Sequence, residues 1–144
     1  MSQSAKTATA PLDRSEILAA PADDYMSPRQ LEFFRTLLSE ERETLLSSAR
    51  ETTLHLQVQE STPDPADRAS QEEDHTLELR VRDRERKHLH KIDQALARIE
   101  DGSYGWCEET GDAIGIGRLL ARPTTTYSLE AQERHEALQK MKRG

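Results

Sequence analysis

The sequence predicts a mainly α-helical protein: a long antiparallel coiled-coil hairpin carrying a small globular knob and a C-terminal helix. Three observations lead there. Residues 27–60 and 67–100 form two long polar segments that both read as helix. Pro63 and Pro65 break the chain between them, because proline lacks the amide donor and clashes with the preceding turn. The glycines and aromatics then cluster in 102–127, with Tyr104, Gly105, Trp106, Gly111, Gly115 and Gly117. At 144 residues, with 33% charged and only 4% aromatic side chains, the chain suits long solvated helices better than one round core.

Residues 1–26 are rich in Ala, Ser, Thr, Pro and Asp and read as a flexible tail and part of the base. Ile17 and Leu18 are the apolar pair that could dock it. Ser27-Pro28 is a helix start, a capping hydroxyl followed by proline at the first helical position. Leu31, Phe34, Leu38 and Leu45 then lie on one stripe at coiled-coil spacing, which continues through Ser48, Thr52, His55 and Gln59 and so turns polar. About 30 residues at 1.5 Å each make an arm of about 45 Å. The bend spans 61–69 and carries Asp64 and Asp67.

The second helix repeats Leu89, Ile92, Leu96 and Ile99 at alternating spacings of three and four, and a short bend requires it to run antiparallel to the first. Gly102 ends it as the usual left-handed terminator, closing the hairpin at 27–101. The knob of 102–127 is expected to build its core from Trp106, Ile114, Ile116 and Leu119. The helix of 128–144 is expected to pack back through Leu138 and Met141.

Charge narrows the function. The net charge of −7 argues against direct DNA binding or attraction to an anionic membrane. No apolar run approaches the roughly 18 residues that span a bilayer, and no signal-like block is present, so a cytoplasmic protein is expected. Within the arm, residues 60–74 carry six acids against Arg68, a net −5, while residues 80–91 carry six bases against Asp83 and Glu85, a net +4. An acidic end on a basic shaft suits an oriented plug for a protein channel. The shaft also reads as a solvated face with helix pairs such as Asp83 with Lys87.

Cys107, Thr110, Ser128 and Ala131 occupy the four positions of a C-x2-C-x17-C-x2-C zinc motif. Here, and in Asp64-Pro65-Ala66-Asp67-Arg68-Ala69, Leu77-Glu78-Leu79-Arg80, Arg82-Asp83-Arg84-Glu85-Arg86-Lys87, Tyr104-Gly105-Trp106-Cys107 and Arg118-Leu119-Leu120-Ala121-Arg122-Pro123, the chain resembles the DksA/TraR family of bacterial transcription factors. The resemblance covers residues from about 25 onward. It makes 102–127 a degenerate zinc ribbon. Structural zinc needs four good donors, and two hydroxyls and a methyl are not such donors. No bound zinc is therefore expected, and Cys107 reads as a buried small side chain, the alternative being a redox sensor, which a single thiol without an intramolecular resolving partner disfavours.

The resemblance also implies a partner, RNA polymerase, entered by the coiled-coil tip through its secondary channel. Asp64, Asp67 and Ala69 become the tip residues near the active centre, and Arg84 the contact with the polymerase rim. Both aspartates also read as helix caps: Asp64 stands before Pro65, and Asp67 sits in the first turn. Neither has a nucleophile or histidine partner, so catalysis is not expected. The alarmone guanosine tetraphosphate is implied as co-effector at the polymerase interface, with Lys91, Arg122, Glu130 and Gln132 at the matching positions. Gln132 stands where lysine is frequent, which weakens phosphate attraction. Arg122 reads equally as a loop arginine paired with an acid of the C-terminal helix. The expectation is thus a monomeric, zinc-independent regulator of promoter complexes. The alternatives are a transcript-cleavage cofactor, whose acidic tip would hold magnesium, and a generic coiled-coil adaptor.

Overall fold

The structure, a computed structural model, describes residues 11–60 and 68–143, with side chains described for 11–54 and 70–143. Asp64 and Asp67 lie outside the described residues, and so does the side chain of Ala69. The described elements are α1 (Arg14–Ala19), a 3-10 turn (Ala22–Asp24), α2 (Pro28–Glu60), α3 (Arg68–Asp101), α4 (Ile116–Ala121) and α5 (Leu129–Arg143). Among the described residues the only extended pairing is an isolated antiparallel bridge between Trp106 and Ala113. The chain divides into two compact units, 39–93 and a hub made of 1–38 with 94–144.

The segment expected to be a tail is organised from Asp13 onward. Asp13 accepts the Glu16 amide at 2.7 Å, and the Glu16 carboxylate accepts the Asp13 amide at 3.4 Å, a reciprocal cap that starts α1. This cap turns Ile17 fully inward as α1 packs on α4, while Leu18 stays 56% exposed. Tyr25 ties the segment to the hub. Its hydroxyl donates to the Gly105 carbonyl and accepts the Gly115 amide at 2.9 Å, and its ring meets Trp106 edge-on at 5.2 Å. Burial raises the Tyr25 pKa above its usual value, against the lowering effect of the Gly115 and Ile114 amides.

The hub core is Ile17, Phe34, Leu38, Ala95, Ile99, Tyr104, Cys107, Ile114, Leu119, Leu120 and Ala131. Each large side chain there contributes about 1.5–3 kcal/mol by leaving water. The expected core is corrected at two positions. Trp106 is 40% exposed, and the aromatic that goes inside is Tyr104, whose hydroxyl donates to the Pro123 carbonyl at 2.7 Å. Ile116 is only half-buried, at the start of α4. Leu138 and Met141 do not pack back; both lie exposed on the last turns of α5. Gln30 is buried, and its side-chain carbonyl is satisfied by the Met26 amide at 2.7 Å.

Gly102, at φ +84°, ends α3 as expected, with the Ser103 and Tyr104 amides both donating to the Arg98 carbonyl. Gly105 is required for a second reason. Its φ is +91°, and a Cβ there would come within 2.6 Å of the Met26 sulfur and 3.2 Å of the Tyr25 hydroxyl. Gly105→Ala is expected to cost about 1–3 kcal/mol, the range for a side chain forced into a left-handed backbone. Urea unfolding checks this, with Gly111→Ala (φ +77°, open space) as a control that isolates the steric part.

In the unit 39–93, α2 and α3 run antiparallel. Arg42 pairs with Asp93 at 2.8 Å, whereas Leu45 and Ala49, further along α2, face the stretch from Leu79 to Leu89. The expected seam is corrected at Ser48, which is exposed; Ala49 takes the inward place. A straight helix drifts by about 20° per heptad against a strict 3.5-residue repeat, enough to move the stripe over by one residue. The basic shaft pairs as expected, with Asp83 holding Arg86 at 2.7 Å and Lys87 at 3.1 Å. These pairs are exposed and each is worth under about 1 kcal/mol.

Candidate functional site

The four zinc-motif positions lie together in the hub, and each is already committed to something other than a metal. Cys107 is 4% exposed. Burial alone would raise its thiol, but donation from the Thr110 hydroxyl and from the Ser128, Thr110 and Glu109 amides outweighs that and lowers the pKa to about 6. The Thr110 hydroxyl also accepts the Asp112 amide at 3.2 Å. The Ser128 hydroxyl caps α5 by accepting the Ala131 amide at 3.2 Å, and the Ala131 methyl is fully buried. The loop still wraps its amides around one sulfur, as a zinc-binding turn does. Only that one thiol is a zinc donor, so the donor set does not fit the metal. Among the described residues, no group of three or more His, Cys, Asp or Glu could hold a metal ion.

Other contacts join the two halves of the knob. His135 Nε2 lies 2.9 Å from Glu109 Oε2, and its ring stacks on Tyr127 at 4.6 Å. The Glu108 amide donates to the Thr126 carbonyl at 2.9 Å, and Arg118 Nε donates to the Tyr127 carbonyl at 3.0 Å. His135 thus links the Cys107 turn to α5. Its place four residues after Ala131 sets it on the helix face that meets the turn. Tyr25 was missed because its segment read as a tail.

The lowered Cys107 pKa has a measurable consequence. Between pH 6 and 9 the unfolded chain binds more protons than the folded one, so stability rises with pH across that window and is lost as pH falls through about 6. Cys107→Ala is expected to flatten this rise. Urea midpoints of parent and variant at about pH 5.5 and 8.5 provide the check.

Of the remaining site residues that the structure describes, Arg84, Lys91, Arg122 and Glu130 are exposed and Gln132 is half-buried. Arg84 lies on α3 with Arg80 and Lys87 along one shallow face, and Arg84 makes no ion pair among the described residues. Lys91 is exposed in the unit 39–93, whereas Arg122, Glu130 and Gln132 belong to the hub. The pairing of Arg122 with an acid of α5 does not form; its side chain is exposed, with no ion pair among the described residues. Gln132 donates to Glu136 at 3.2 Å. No helix among the described residues is long and apolar enough to cross a membrane.

Comparison with known proteins covers both units. Residues 30–99 match the family described as DnaK suppressor protein DksA, N-terminal domain, and residues 102–137 match the prokaryotic dksA/traR C4-type zinc finger. The RNA polymerase-binding transcription factor DksA of Caulobacter vibrioides is 52% identical over 139 residues, covering 96% of this chain and 98% of the relative. The protein of the same name from Escherichia coli K12 is 42% identical over 125 residues, covering 86% and 83%. Among solved structures, transcription factor DksA2 from Pseudomonas aeruginosa superposes with a TM-score of 0.84 at 44% identity, covering 89% of this chain and 99% of that one. From the start of α2 to the last turns of α5, the chain belongs to the DksA/TraR family.

Proposed function

We propose that this protein is a DksA-type transcription regulator that binds RNA polymerase directly, enters its secondary channel with the 61–69 tip and changes the stability of promoter complexes without zinc. The observation that carries the reading is a hub that keeps the family architecture while Thr110, Ser128 and Ala131 replace three thiolates and make bonds or contacts of their own. The names of the Caulobacter and Escherichia relatives support polymerase as the partner.

In this reading Asp67 acts at the polymerase active centre, Asp64 shapes the turn and also faces it, and Ala69 keeps the tip slim. Arg84 meets the rim. Guanosine tetraphosphate is the co-effector, held by Lys91 as a point charge and Arg122 as a bidentate fork, with Glu130 and Gln132 beside them. Gln132 supplies no charge, so the alarmone response is weaker than with lysine at that place. The protein acts as a monomer in the cytoplasm, touches no DNA directly and catalyses nothing itself.

Equilibrium binding to purified polymerase tests the partner, and a backtracked complex with labelled RNA tests the mode of action. Binding with RNA of unchanged length is expected. Shortened RNA would instead identify a transcript-cleavage cofactor, and absence of binding would leave an adaptor of some other assembly.

A further inference from the structure

The unit 39–93 contains a cleft of about 340 Å3 between α2 and α3, walled by Leu45, Leu46, Ala49, Leu79 and Leu89 and lined as well by Arg82, Asp83 and Arg86. Glu85 also lines it. Both of its carboxylate oxygens are buried, and neither has a hydrogen-bond partner. Glu85 stands four residues before Leu89, which places it on the inward seam where an apolar side chain would be ordinary. A carboxylate kept from water without a donor is strongly unfavourable, and a charged partner is what relieves it. The neighbouring charges do not supply one: Arg86 and Lys87 are held by Asp83, and the exposed Arg82 makes no ion pair among the described residues.

We infer that this cleft receives one arginine side chain from the surface of RNA polymerase, its guanidinium closing on Glu85 and its methylene stem lying on the leucines. The inference rests on the polymerase reading above. Two unmet oxygens on one carboxylate call for two parallel donors, which a guanidinium presents as a planar fork and an ammonium does not. An aliphatic stem can cover apolar walls while its head reaches the charge. The volume is near the lower end of ligand pockets, roughly 300–1,000 Å3, so it suits a single side chain rather than a larger molecule.

Two measurements on the full chain test this. Methyl NMR spectra of the protein are recorded with n-butylguanidinium and with n-butylammonium as probes. Shifts at Leu45, Leu46 and Leu89 are expected with the guanidinium, much weaker with the ammonium, and absent in Glu85→Gln. Polymerase affinity is then compared between parent and Glu85→Gln, with an expected loss of about tenfold and a melting temperature no lower than that of the parent. Glu85→Leu should melt higher and bind as weakly. The inference is overturned if the guanidinium moves no methyl, if Glu85→Gln keeps its shifts or its full affinity, or if affinity and melting temperature fall together as for a purely structural residue. A parent protein that shifts with guanidinium yet fails to bind polymerase refutes the functional reading rather than the cleft chemistry.

Discussion

Asp67→Asn is expected to leave the protein bound to RNA polymerase, within about threefold of the parent affinity, while its effect on a ribosomal RNA promoter falls by about tenfold or more. Asn keeps the size of the side chain and caps a helix as well as Asp does, so the hairpin should not be weakened. What disappears is one negative charge at the end of the arm. A hydrogen bond to a charged group is worth about 1.5–3 kcal/mol, and about 1.4 kcal/mol is a factor of ten. Promoter-complex lifetimes with saturating variant check the effect. An adaptor would show no change in either measurement, and a residue that only builds the turn would lose stability and binding together.

Phe34→Ala is expected to have the largest effect on folding. The ring is fully buried in the hub and lies 5.4 Å from Tyr104 and 5.3 Å from Phe33. Removing a buried phenylalanine costs about 3–5 kcal/mol once the cavity it leaves is included. Total stabilities are about 5–15 kcal/mol, so this single change removes a large share of what holds the hub folded. Urea unfolding measures the loss, and Phe34→Leu should recover more than half of it. A loss under about 1 kcal/mol would mean that the core is elsewhere. Structural zinc can contribute roughly 10–16 kcal/mol to small domains, so a hub without its ligand set relies more heavily on such packing.

The hairpin was legible because its signals are local and strong. Gly102 takes the left-handed conformation that stops α3, and Phe34, Leu38, Ile92 and Ile99 keep the spacing that brought them inside. The zinc-motif positions were legible from spacing alone. The knob was not, because a loop has no periodicity to tell in from out. Two aromatics two residues apart compete there. Tyr104 goes inside because its hydroxyl finds the Pro123 carbonyl, and Trp106 is left beside Tyr25 at the surface. The organised segment around α1 did carry a signal, the Asp13-x-x-Glu16 spacing before Ile17, but its small-residue composition read as a tail. Leu138 and Met141 have helical spacing, yet the final turns of α5 leave them exposed. Glu85 was hidden in a run of charges where every residue looked solvated.

The most direct test is transcription from one ribosomal RNA promoter by purified polymerase, with protein stripped of metal by a strong chelator and kept in it. Undiminished inhibition, strengthened by guanosine tetraphosphate and absent with Asp67→Asn, is the predicted result. Inhibition that disappears with the chelator and returns with added zinc would contradict the account.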